Sequence, residues 1–320
     1  MKKIVGFFLA FVSSFALLGC ERVPENETTV YMPDGAPALA MAKLLSEDEE
    51  GDGVTYSVVD TSKEMKALLS KLTNVDKEKN ADFCVLPITA AAQLLGTGEL
   101  YQMLGVVTQG NLYLLANSAD AKPINGASDL VGKTVQVAKL NEVPGLTLKA
   151  TLNRQGVAWQ VLDGEEKAVD KANLVSASFG ADFELLAEPA VSKRVSAGRS
   201  VVVGDLQALY GRENGYPQAV LVGKRAFMDE HPKFTQEFLA KVQENEAWLK
   251  TASAETLFNA ITTHYEDGHT PLFGVENLGA QTVARCGVRF DGAESVRTRV
   301  ETYLTEVGVA LPSSAFYRGV

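Results

Sequence analysis

The chain opens on one long apolar block and then settles into short alternating ones. The block runs from Ile4 to Leu18, relieved only by Gly6, Ser13 and Ser14, with Lys2 and Lys3 before it and Gly19-Cys20 after it. About 15 residues fall short of the ~20 that a helix needs to span a bilayer core, and the polar stretch from Glu21 to Thr28 has no stop-transfer character. Residues 1–20 therefore read as an export signal and 21–28 as a flexible tether. Beyond them, β-prone runs lead into helix-forming ones: Thr29–Met32 into Pro37–Leu45, and Phe83–Leu86 into Ala90–Leu95. Between these, Thr55–Val59 leads into a helix opened by the capping motif Thr61-Ser62-Lys63-Glu64, with Met65, Leu68, Leu69 and Leu72 on one face.

Serial βα units imply an α/β fold with a largely parallel sheet and helices on its faces. Tyr101–Val107 and Leu112–Ala116 add strands, Asn117–Ser128 reads as a crossover, and Lys133–Ala138 with Leu146–Leu152 begins a second βα series. A turn and a short helix are expected between Leu162 and Leu174, then strands at Leu185-Leu186 and Val201–Val203. Tyr216–Val222 reads as the return crossover. Pro232 then opens a helix whose apolar face is Phe234, Phe238, Leu239, Val242 and Leu249, and the helical remainder puts Leu257, Ile261, Val296, Val300, Tyr303 and Leu304 in the core. The boundaries expected are 29–116 with 222–320 for a first lobe and 117–221 for a second.

Composition agrees with two compact lobes: 320 residues, 46% hydrophobic and 22% charged, are globular and exclude disorder or a collagen-like repeat. The net charge of −10 and the absence of a basic stripe argue against a nucleic-acid partner. Three cysteines, Cys20, Cys84 and Cys286, are too few for a disulfide framework, although a bond between the last two stays open.

Enzyme signatures are missing. His264 and His269 are five residues apart, not the four that put two metal ligands on one helical face, and neither a G-x-S-x-G nor a G-x-G-x-x-G pattern occurs. Gly132-Lys133-Thr134 reads as a turn into a strand, because a P-loop follows a strand instead of preceding one. The informative pattern recurs four times, where a strand-like run reaches a proline able to open a helix: Pro37, Pro87, Pro144 and Pro189. The amides of such junctions can hold a carboxylate, sulfonate, phosphate or ring acceptor, and in open α/β sheets they lie where ligands bind. Asp34-Gly35 supplies a tight turn; Thr89, Asn111 and Thr147 offer short polar groups, and Glu188 an acceptor.

The same segments carry a family resemblance. Tyr31-Met32-Pro33-Asp34-Gly35-Ala36-Pro37, Leu86-Pro87, Thr108 with Gly110-Asn111-Leu112-Tyr113, Val143-Pro144 with Thr147, Glu188-Pro189, and Tyr216-Pro217 with His231-Pro232 resemble, in that order, the extracytoplasmic solute-binding proteins of bacterial ABC importers. The branch is the one similar to sulfonate-, taurine- and thiamine-precursor-binding proteins. Leu17-Leu18-Gly19-Cys20 resembles a lipobox, which implies lipidation at Cys20 and anchoring of a monomer to the cell membrane, on its periplasmic face or outer surface. The resemblance implies a two-lobed, type II periplasmic-binding-protein-like fold with two crossover strands, no catalysis, no cofactor or metal, and partners in a permease and an ATPase. It puts Met32, Asp34, Gly35, Ala36, Pro37, Ile88, Thr89, Gly110, Asn111, Val143, Pro144, Gly145, Thr147 and Glu188 at a small organic solute. A binding protein that senses its solute for a membrane receptor is the alternative. On this reading Asp34→Arg, or a bulky residue at Pro144 or Gly145, abolishes binding and leaves the fold intact.

Overall fold

The structure, a computed structural model, describes residues 27–49, 52–61, 65–176 and 180–319. The leader, Cys20, most of the tether and residues 62–64 of the capping motif lie outside the described residues.

In chain order, β1 (Thr28–Pro33) leads to α1 (Ala36–Leu39) and α2 (Ala42–Ser46), and β2 (Val54–Val59) to α3 (Lys66–Ser70). Then β3 (Phe83–Pro87) leads to α4 (Ile88–Leu95), followed by β4 (Tyr101–Gln109) and β5 (Leu112–Ala116). The middle of the chain holds β6 (Thr134–Val137), α5 (Val143–Arg154), β7 (Trp159–Val161), β8 (Ala172–Val175), β9 (Phe183–Ala187), α6 (Ala190–Ser196), β10 (Val201–Asp205) and α7 (Leu206–Tyr210). The last third contributes β11 (Pro217–Lys224), α8 (Arg225–Glu230), α9 (Pro232–Leu249), α10 (Ala254–Thr262), α11 (Ala280–Arg285), β12 (Val288–Gly292) and α12 (Ala293–Glu306).

These strands form two six-stranded sheets, β12-β4-β11-β3-β1-β2 and β10-β5-β9-β6-β8-β7. The β1–β2, β1–β3, β6–β8, β6–β9 and β7–β8 pairs are parallel, as βα units require. The returning strands run antiparallel: β11 between β3 and β4, and β5 between β9 and β10. Burial on both faces explains the unbroken apolar run of β3, in which Phe83, Cys84, Val85 and Leu86 are all fully buried. The ring of Phe83 stacks on Phe238 of α9 at 4.5 Å, which fixes that helix on one face of the first sheet.

One apolar cluster joins α1, α2, α9 and α10 to that face. The other begins under α4 and α12 and continues without a break into the second lobe. Its bridge is an aromatic trio: Tyr216 packs on Tyr210 at 5.5 Å and on Tyr303 of α12 at 5.7 Å. Cys84 and Cys286 are both buried and free, so they form no disulfide. No helix among the described residues is long and apolar enough to cross a membrane.

Three expectations need correction. Strand β5 belongs to the second sheet, so the chain changes lobe at Gly110-Asn111 and not after Ala116; the short polar break Thr108–Asn111 between two apolar strands reads equally well as a hairpin turn within one sheet. Strand β11 lies inside the first sheet, and the return crossover is the segment just before Pro217. Between β7 and β8, residues 162–171 are bends and irregular backbone, with no helix.

Candidate functional site

Each proline junction opens a helix as its sequence predicts. Gly35 turns the chain from β1 into α1 at φ +92° and ψ −143°, a conformation that residues with a side chain avoid, and Pro37 stands in the first turn. Pro87 caps α4, Pro144 stands in the first turn of α5, and a cis Glu188–Pro189 bond leads from β9 into α6.

Two of these junctions meet across the lobes. A Cβ placed on Gly35 would lie 3.7 Å from Pro189 Cδ and 4.0 Å from Glu188 O. Beside them, Ser192 Oγ of α6 pairs with Thr282 Oγ1 of α11 at 2.8 Å, and Lys193 Nζ donates to Pro271 O at 3.3 Å. The first crossover forms the floor: Glu188 N donates to Asn111 O at 3.2 Å, and Gln109 N donates to Gly287 O at 2.7 Å. Tyr113 Oη donates to Arg285 O at 3.3 Å, and the Arg285 guanidinium lies over the Tyr113 ring, 5.6 Å from its centroid. The end of β1, the first crossover, the end of β9 and the end of α11 thus converge at one interlobe seam.

Asp34 has a role other than the one expected. Its carboxylate, 1% exposed, accepts from Gly35 N (2.6 Å), Tyr265 Oη (2.8 Å), His269 Nε2 (2.9 Å) and Leu272 N (2.9 Å). With its lone pairs so occupied, it anchors loop 265–272 and is not free to contact a ligand. Glu188 is equally enclosed: it accepts from Ser192 N (3.0 Å) and Ser192 Oγ (2.9 Å), and Arg285 Nη1 stands 3.8 Å away. Burial pushes its carboxyl above the ordinary carboxylate value, against the opposing pull of Ser192 and Arg285.

Asn111 differs from both. The residue is 2% exposed, yet its side-chain amide makes no hydrogen bond among the described residues and its Oδ1 is buried without a partner. Thr89 at the start of α4 is buried. Arg285 and Thr282 were missed in the sequence, where α11 is short and shows no motif; their placement depends on tertiary packing.

The other candidates are placed as follows. Met32, Ala36 and Ile88 are 0–1% exposed and packed in the apolar clusters. Gly110 lies under the Tyr216 ring, where a Cβ would come within 2.5 Å. Thr147 Oγ1 donates to Val143 O at 2.6 Å and pairs with Tyr303 Oη at 2.8 Å, so it ties α5 to α12. Val143 is buried, and Pro144 is half-buried at the start of α5. At Gly145 a Cβ would stand 2.2 Å from Leu140 O. Gly145→Ala must therefore open the turn at 139–145 and is expected to cost about 3 kcal/mol, read as a lower denaturant midpoint; a wild-type midpoint would show that the turn yields freely.

Among the described residues no group of three or more His, Cys, Asp or Glu side chains is placed to hold a metal ion. A hollow of about 870 Å³ lined by Asn117, Lys122, Lys133 and Asp182 lies at the starts of β6 and β9, the end of the second sheet away from the seam.

No protein-family model matches the chain, and no curated protein matches it. Solved structures do. An ABC transporter protein from Parabacteroides distasonis is 17% identical, with a TM-score of 0.66 over 92% of this chain and 99% of that one. The periplasmic aliphatic sulphonate binding protein SsuA from Escherichia coli is 14% identical, TM-score 0.60, over 91% and 96%. The ligand binding component of an ABC-type import system from Staphylococcus aureus, solved with zinc bound, is 10% identical, TM-score 0.59, over 92% and 97%. Identities this low speak for the fold alone: two α/β lobes joined by two crossovers, the type II fold of periplasmic binding proteins.

Proposed function

We propose that this protein is the extracytoplasmic substrate-binding component of an ABC importer, which captures a small organic solute between its lobes and delivers it to a permease. The observation that carries the reading is the seam itself, where strand ends and helix starts of both sheets meet across a double crossover. That arrangement fits a hinge whose open and closed states a solute can bias, since a ligand touching both lobes favours the closed state by its differential contacts. Binding serves delivery here and not turnover. The leader supports export, and Cys20 supports a lipid anchor that holds a monomer at the membrane surface.

Native mass spectrometry of the purified mature chain, paired with small-angle scattering, tests the proposal. A retained small molecule is expected, and its removal by unfolding and refolding should enlarge the radius of gyration as the lobes part. A chain that holds nothing and keeps one shape would end this reading. For the anchor, Cys20→Ala is expected to move the protein from the membrane fraction to the soluble one; unchanged membrane retention would remove lipidation.

A further inference from the structure

Arg285 stands at the seam with a guanidinium that holds no hydrogen bond to the protein among the described residues. Its side chain is only 18% exposed, yet among the described residues the guanidinium donates no hydrogen bond: Glu188 Oε1 at 3.8 Å is an ion pair without hydrogen-bond contact, and Tyr113 offers only a ring. A half-buried guanidinium whose five N–H donors the protein leaves uncommitted is available to a ligand. Asn111, whose carbonyl accepts from Glu188 N, is 2% exposed, and its side-chain Oδ1 is buried without a partner among the described residues. Both residues adjoin Glu188, Arg285 through its carboxylate and Asn111 through its backbone, and Glu188 leads into Pro189 at the seam.

Resting on the solute-binding reading, we propose that Arg285 is the specificity-determining residue of this site and that the solute carries a carboxylate, gripped in the plane of the guanidinium, with a neighbouring N–H or O–H taken by Asn111 Oδ1. The planar fork matches two coplanar oxygens. Tyr113 lies on one face of the guanidinium and the Glu188 carboxylate stands beside it. A third oxygen, as on a sulfonate or phosphate, would project out of that plane toward an electron-rich ring face or a buried carboxylate. Only a flat two-oxygen group avoids both.

The test uses the full mature chain. The solute released on unfolding is fragmented in the mass spectrometer, where loss of carbon dioxide is expected, and is then titrated back calorimetrically. Arg285→Gln should weaken its binding roughly 10–100-fold, Arg285→Lys less, and Asn111→Ala by a smaller factor. Propionate, propanesulfonate and propionamide are screened in parallel by thermal shift, and the wild type should respond to the carboxylate alone. A merely structural Arg285 would lower the melting temperature of the solute-free variants; the proposal expects that temperature to hold and the solute-induced rise to vanish. A released solute without a carboxylate, or Arg285→Gln binding within twofold of wild type, overturns the proposal and leaves the solute-binding reading standing. A chain with no solute at all overturns both. Should Arg285→Gln fail to fold, the solute's chemistry and the Arg285→Lys titration still decide.

Discussion

Asp34→Ala is expected to lower the free energy of unfolding by about 3–5 kcal/mol, the range seen when one member of a buried charged network is removed. The change strips a common acceptor from Gly35 N, Tyr265 Oη, His269 Nε2 and Leu272 N, and each buried donor left unpaired costs about 1–3 kcal/mol. The sum is smaller than four separate penalties because the freed loop can move out to water. Loop 265–272 should exchange its amide hydrogens far faster, and solute affinity should fall with it, since Pro271 meets Lys193 of the second lobe and Leu272 lies beside Gly35 at the seam. Hydrogen exchange and a urea titration read both effects. Unchanged protection of the loop would show that Asp34 is not its anchor.

The flank opposite the seam should be sensitive to acid. Glu306 of α12 accepts from Arg154 of α5 at 2.8 Å, from Tyr210 of α7 and from Arg212 of the return crossover, and so binds the first lobe to the second. Desolvation pushes its carboxyl up, but the hydrogen bonds from Arg212, Tyr210 and Arg154 together outweigh this and hold it below its ordinary value of 4.5. The native state therefore binds fewer protons than the unfolded chain near that pH. The stabilisation is complete above about pH 5 and is lost as pH falls through the lowered native value. Asp291, held below its ordinary 3.8 by Arg289 and Arg299 in spite of burial, acts in the same direction. Glu188, raised by burial, acts in the opposite one, gaining as pH falls. Glu306→Gln is expected to cost about 2 kcal/mol at pH 7 and to flatten the decline between pH 5 and pH 3 in denaturant midpoints. An acid limb as steep as that of the wild type would exclude Glu306 as its source.

Local rules carried well where the structure is local. The apolar run of β3, the Phe238-Leu239-Val242 face of α9 and the proline-opened starts of α4 and α5 follow from period, propensity and the missing proline N–H. The lobe boundary did not follow, because Leu112–Ala116 looks alike whichever sheet it joins; only its pairing with Ala187 to Glu184 of β9 decides. Strand β12, a half-buried edge strand, was hidden for the same reason. Asp34 at the end of β1 and Thr147 near the start of α5 stand out in the sequence as polar residues at βα junctions. Their side chains, however, are committed to Tyr265 and His269 in one case and to Tyr303 in the other, partners more than 150 residues away in the chain. Arg285 stood unnoticed because nothing near it in the chain marks it; its meaning comes from Tyr113 and Glu188.

The middle of the first sheet is filled late in the chain. Among the described strands β4 has β11 and β12 as its neighbours, and β3 has β11 on the side away from β1. Until Pro217–Lys224 has been synthesised, a nascent chain carries β4 with no neighbour and β3 with one bare rim, so arrested products would be sticky and prone to aggregate. The second sheet is complete once Val201–Asp205 has been made, so it is the closing of the first lobe that waits for the end of the chain.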